Sequence, residues 1–142
     1  MTVWEEVKYK LFNSSSAVNQ LLWINILAFA FSCLLVLIFH LSGLSANPLL
    51  VYLNVPADLG LVITRPWTFF TYQFMHAGPW HIFGNMLMFF YMGSILQDFL
   101  GSKKIWVTYL GGGIAGAILF LIMYNIFPVF ASERNGFLIG AS

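Results

Sequence analysis

Charge is what this chain of 142 residues lacks most. Asp, Glu, Lys and Arg make up 8% of it, against roughly 25% in a soluble domain. The net charge is +1, so the chain has neither a basic footprint for nucleic acid nor an acidic tail. Cysteine is almost missing as well. Cys33 stands alone, which excludes an intrachain disulfide and leaves no thiolate cluster for a metal. It reads as a small core residue. No metal, cofactor or nucleic-acid partner is expected.

What the chain does have is apolar. Hydrophobic residues reach 60% and aromatics 18%, more apolar surface than a soluble domain of this length can hide. The surrounding solvent must therefore be apolar too. The charges leave three gaps, Leu11–Ala57, Pro66–Gln97 and Ile105–Ser132, of 47, 32 and 28 residues. Each exceeds the ~20 residues that a spanning helix needs. The run Leu21–Gly43 is 23 residues long, beyond the about 7–15 of a cleaved signal peptide's apolar region. The expected fold is all-α, a polytopic membrane helical bundle with three complete transmembrane helices and the start of a fourth.

Residues 1–20 form a polar N-terminal segment in which Trp4, Val7 and Leu11 recur at helical spacing among Glu5, Glu6, Lys8 and Lys10, which leaves two readings equally open, a short interfacial helix or a disordered tail. Residues 21–142 form one incomplete membrane domain. Its spans are expected at about 21–42, 79–97 and 105–127, with a fourth starting near 137. The first loop, 43–78, is long and carries Pro48, Pro56 and Pro66. Loops of that length are usually functional or disordered, and its Leu, Val, Phe and Trp content argues for one embedded in or lying on the membrane. Pro66 suits the first position of a short helix with Trp67, Phe70 and Phe74 on one face. A polar turn is expected at Asp98–Lys104. The apolar segment from Phe137 stops after six residues and reads as a helix cut short. Lys8, Lys10, Lys103 and Lys104 outnumber Arg65 and Arg134 on the other side, which places the N-terminus in the cytoplasm of a multi-pass protein of the cell membrane.

Polar side chains inside spans are costly and mark function by default. The second span carries His81 and Asn85 in Trp80-His-Ile-Phe-Gly-Asn85. Their i, i+4 spacing puts both on one helical face. Asn85 lies about 9 Å below Pro79 at 1.5 Å per residue. Two readings are open for this pair: donors converging on a developing oxyanion, or interhelical hydrogen bonds. Gly136-Phe-Leu-Ile-Gly140-Ala-Ser142 offers a serine two residues after a glycine. At a helix start, free N–H groups and the dipole would favour it as a reactive group, and Gly140 would let a substrate backbone come close. Counted as helix from Gly136, Ser142 reaches the depth of Asn85. His40 ends the first span, where it can snorkel to the interface. The glycines Gly111, Gly112, Gly113 and Gly116 include a small-xxx-small face, suited to close packing against the helix that carries Ser142. No Gly-Lys-Ser/Thr follows them, which excludes a phosphate loop.

Together these residues resemble the rhomboid family of intramembrane serine proteases, over about Val51–Ser142. Phe74-Met-His76 followed by His81-x-x-x-Asn85 is similar to the family's second-span signature, and the order of elements also matches: amphipathic loop, His/Asn span, charged turn with Gly101-Ser-Lys103, third span, Gly-x-Ser. The resemblance implies that Ser142 is the nucleophile, that His81 and Asn85 stabilise the oxyanion, and that Gly140 and His76 support the site, His76 by organising polar groups and water. It implies transmembrane protein substrates cleaved in or near their spans, with a sixth-span histidine as general base. The family motif continues Gly-x-Ser-Gly, and its Trp-Arg pair appears here as Trp67-Thr68 with Arg65 two residues earlier. Without the base, residues 1–142 are expected to be inactive alone. A non-catalytic rhomboid-like adaptor for transmembrane clients is the alternative. A transporter or channel would call for more intramembrane ionisable groups.

Overall fold

The structure, a computed structural model, describes residues 2–12, 15–44, 51–133 and 136–140. Three long helices dominate. A short one precedes them: α1 (Val3–Phe12) opens where Thr2 N donates to Glu5 Oε2 at 2.7 Å and Glu5 N to Thr2 Oγ at 3.3 Å, a reciprocal capping box. Of the two readings of the N-terminal segment, the helix is therefore the one present, with Trp4 and Tyr9 exposed.

Helix α2 (Ala17–Leu41) begins four residues before the expected span. Ser16 caps it by accepting from Asn19 N at 3.4 Å, and Gln97 Oε1 reaches across to accept from Val18 N at 3.0 Å. Those side chains satisfy amides that lipid could not, so the helix starts where its caps are. In the first loop come α3 (Leu59–Thr64), α4 (Thr68–Thr71) and a 3₁₀ turn at Tyr72–Phe74. Helix α5 (Pro79–Leu100) and helix α6 (Ser102–Ile126) follow. The polar turn expected over Asp98–Lys104 shrinks to Gly101, whose φ of +81° lets one residue end α5 and start α6. A second 3₁₀ stretch runs Pro128–Glu133.

One expectation fails at the C-terminal side. Among the described residues, no helix starts near residue 137. Phe137–Leu138 is a strand, β2, paired antiparallel with β1 (Val55–Pro56), with Val55 opposite Leu138 and Pro56 opposite Phe137. Ala57 N also donates to the Gly136 carbonyl at 3.0 Å. Pro56 has no N–H to give, and the loop's remaining backbone groups still need partners in an apolar setting. The extended segment supplies them. The fold is thus a helical bundle with one two-stranded ribbon among the described residues, and the depth of Ser142 does not follow from counting helical rise from Gly136.

Packing concentrates at the end of the bundle where α2 begins. Ala17, Val18, Leu21, Leu22 and Ile105 form one buried cluster, flanked by Phe74, Phe89 and Tyr109. Buried Asn25 joins it through the Tyr109 hydroxyl, at 3.0 Å from Nδ2 and 3.1 Å from Oδ1, and that hydroxyl also lies 3.1 Å from the Gln73 carbonyl. A second cluster, Val55, Val62, Tyr72, Ala117 and Leu121, seats the first loop on α6. Leu27, Phe31, Leu34, Trp80, Phe83, Met88, Phe99, Val107 and Leu119 are all exposed. A belt of that size has no place in water; lipid is its natural surrounding. Among the described residues, α2 and α6 are long and apolar enough to cross a membrane. Helix α5 spans 22 residues and is made more polar by His81, Asn85, Gln97 and Asp98.

Among the described residues, Gly113 and Gly116 of α6 pack against the first loop. A Cβ at Gly113 would collide with the Gln73 amide, and one at Gly116 would stand 3.5 Å from the Tyr72 hydroxyl. The first loop occupies that notch. Trp67 and Phe70 face outward, whereas Phe74 packs on the first cluster, so the three do not share one environment. Pro66 lies just before Trp67, the residue that caps α4, and not inside the helix. A Cβ at Gly112 meets nothing within 4 Å. Gly113→Ala should therefore lower stability by about 1–3 kcal/mol through overpacking, while Gly112→Ala leaves it unchanged or raises it by up to about 1 kcal/mol, the helix-propensity gain over glycine. Thermal unfolding of both variants in detergent checks this, and equal losses would contradict the notch.

Candidate active site

His81 sits in the first turn of α5, just inside Pro79 at the N-terminal end. Its ring is oriented by the backbone before the helix: Ala77 N donates to His81 Nδ1 at 3.2 Å. An acceptor Nδ1 assigns the proton of the neutral ring to Nε2. His81 is thereby set as an N–H donor on the edge that points away from Ala77.

That edge meets Gly140. A Cβ built on Gly140 would lie 3.1 Å from His81 Cε1 and 3.6 Å from Nε2, and 3.0 Å from the Met75 carbonyl. Gly140 is buried, has φ +81°, and donates its N–H to the Tyr72 carbonyl at 3.0 Å. Any side chain here would be strained twice, by the backbone conformation and by the Met75 carbonyl. Glycine is therefore required for the segment to lie against the histidine.

Asn85 lies one turn deeper on α5. It is half-buried and lines a cleft of about 370 Å³ together with Gln73, His76, Thr108, Tyr109 and Gly112. Its amide makes no hydrogen bond to the described residues, so the interhelical role that was open for it has no partner here. His76 stacks edge-on to His81 with ring centroids 5.4 Å apart and an interplanar angle of 65°. Its Nδ1 lies 3.3 Å from the Phe74 carbonyl. Burial pushes the His76 pKa below its ordinary value; the Phe74 carbonyl opposes this and the neighbouring His81 adds to it. Burial thus favours the neutral form of His76, whose ring faces His81 edge-on.

The structure brings together His81, His76 and Gly140, with Asn85 on the same face of α5. Ser142 lies outside the described residues; Gly140, two positions before it, stands against His81. The polar link Asn25–Tyr109–Gln73 and the role of Tyr72 were not expected. Asn25 and Tyr109 did carry a signal, each being a polar group inside a long apolar run. Tyr72 carried none, since its partners are the Gly113 and Gly140 backbones. Gly140→Ala should displace the segment from His81. It is expected to lower stability by about 1–3 kcal/mol through backbone strain and the clash with the Met75 carbonyl; an unchanged melting temperature in detergent would refute the contact.

Comparison with known proteins fits this arrangement. A Rhomboid domain profile matches residues 64–142, which include His76, His81, Asn85 and Gly140. RHOMBOID-like protein 1 of Arabidopsis thaliana is 29% identical over 87 residues, 60% of this chain and 20% of that protein. Rhomboid protease GlpG of Klebsiella pneumoniae is 33% identical over 62 residues, 44% of this chain and 22% of that one. Rhomboid protease GlpG of Salmonella newport is 36% identical over 83 residues, 58% and 28% respectively. The chain thus spans less than a third of the length of these relatives. No solved structure matches. With the domain profile covering more than half of a chain whose helices suit a membrane, the chain belongs to the rhomboid family.

Proposed function

We propose that this chain is the nucleophile-bearing part of a rhomboid-type intramembrane serine endopeptidase that cleaves other membrane proteins in or near their transmembrane segments. One observation carries the reading: Gly140 of the Gly-x-Ser segment lies against the Nε2 edge of His81, one helical turn above Asn85. Two stretches far apart in sequence, each weak evidence alone, meet with donors on one side and the serine-bearing segment on the other.

In this reading Ser142 Oγ attacks the scissile carbonyl. The carbonyl oxygen gains negative charge and accepts hydrogen bonds from His81 Nε2–H and the Asn85 amide, both poised before the reaction begins. His81 is not the base, because its proton is already on the nitrogen that faces the site. By family resemblance the base is a histidine two spans further along, beyond residue 142. It takes the serine proton and delivers it to the leaving amine, and water then hydrolyses the acyl-enzyme. His76 and Asn85, which line the same cleft, offer that water hydrogen-bond partners. A serine acts in such a reaction together with its base and oxyanion donors as one unit. The proposed spans are α2, α5 and α6. The Lys residues of the N-terminal segment and of the α5–α6 corner support a cytoplasmic side for those ends, with the site opening on the other face of the cell membrane.

The full-length protein in detergent, treated with a fluorophosphonate, tests this. Labelling should vanish in Ser142→Ala. His81→Ala should lower turnover of a transmembrane substrate by roughly 10²–10³-fold, the usual cost of one oxyanion donor. Labelling that survives Ser142→Ala removes the nucleophile. A protein that binds transmembrane clients but never labels is the non-catalytic adaptor.

A further inference from the structure

The first loop contains one side chain that ties the bundle to the site. Tyr72 is fully buried, in the cluster with Val55, Val62, Ala117 and Leu121. Its hydroxyl donates to the Gly113 carbonyl of α6. Its own carbonyl accepts from Gly140 N and from Met75 N, each at 3.0 Å. One residue thus holds the middle of a long helix at its side-chain end and the Gly140 backbone at its main-chain end. The hydroxyl can reach α6 because Gly113 and Gly116 leave a notch there.

The neighbouring contacts make this strut rigid. Gln73 Nε2 donates to the Phe69 carbonyl at 2.8 Å and its carbonyl lies 3.1 Å from the Tyr109 hydroxyl. Thr71 Oγ donates to the Leu53 carbonyl at 2.7 Å, tying the strut to the segment leading into β1. Because β1 pairs with β2, the chain entering Gly140 is held from both sides of residues 71–73. The register between Gly140 and the His81 edge is then set by where Tyr72 sits on α6.

From this geometry we infer that Tyr72 is a positioning residue for the reaction: its hydroxyl, anchored on Gly113, fixes the backbone carbonyl that holds Gly140 against His81. The inference rests on the protease reading given above. It differs from a plain packing role, which Phe would fill equally well. Tyr72→Phe keeps the ring and removes only the anchor.

The full-length protein and its Tyr72→Phe variant are compared by two measurements. In steady-state cleavage of a transmembrane substrate, kcat should fall roughly 10- to 100-fold, as expected for a small displacement of reacting groups, with KM within about twofold and the melting temperature held within a few degrees. Amide hydrogen exchange at Gly140 should rise about tenfold while amides in the middle of α6 keep wild-type rates. A kcat within twofold of wild type, a change confined to KM, or a loss matched by loss of folded protein would overturn the role. If the wild type shows no Ser142-dependent turnover, the protease reading fails instead, and the exchange measurement still decides the strut: unchanged Gly140 exchange overturns it.

Discussion

Lipid offers no hydrogen bonds to a backbone, and that single constraint shapes the part of this molecule that matters most. The long helices meet it internally. The first loop, neither long helix nor wide sheet, meets it piecemeal. Trp67 Nε1 donates to the Tyr52 carbonyl at 2.9 Å, Thr71 Oγ to the Leu53 carbonyl at 2.7 Å, and Asn125 Nδ2 to the Ala57 carbonyl at 2.9 Å. Strand β2 covers Val55 and Pro56. Each unmade bond of this kind would cost about 1–3 kcal/mol, so the loop is pinned wherever a partner exists. Rigidity of the loop is therefore a consequence of solvation, and the site inherits it.

The chemistry follows from the same economy of polar groups. A histidine in an apolar setting is most stable neutral, and its use is decided by which nitrogen keeps the proton. The Ala77 amide takes up Nδ1 of His81, so the proton faces Gly140. Burial favours the neutral form of His76 beside it. Glycine recurs where backbone must come close: Gly113 under Gln73, Gly140 against His81, Gly101 at the corner between α5 and α6. None of the three could carry a side chain without moving its neighbours or straining the backbone.

Much of this was legible from residues alone, and the failures share a cause. The three long helices were visible because uncharged runs of sufficient length can be little else in lipid. The His81/Asn85 face was visible because i, i+4 spacing is local. Boundaries slipped where caps came from afar: Gln97 extends α2 back to Ala17, and the α5–α6 corner depends on a single φ. The misreading at Phe137 is of the same kind. Six apolar residues carry no period that separates strand from helix, and the partner that makes them a strand, Val55–Pro56, lies far upstream. Gly113's true neighbour, Gln73, was hidden for that reason too. The meeting of Gly140 with His81 is a tertiary fact that neither motif contains.

The central claim is that His81 and Asn85 serve the oxygen of a carbonyl attacked by Ser142. It is tested most directly by a structure of the intact protein with a serine-directed phosphonate bound. The account predicts a covalent bond to Ser142 Oγ, with one phosphoryl oxygen within about 3.2 Å of both His81 Nε2 and the Asn85 amide nitrogen. An adduct whose oxygens turn away from both side chains, or one formed on another residue, would contradict it.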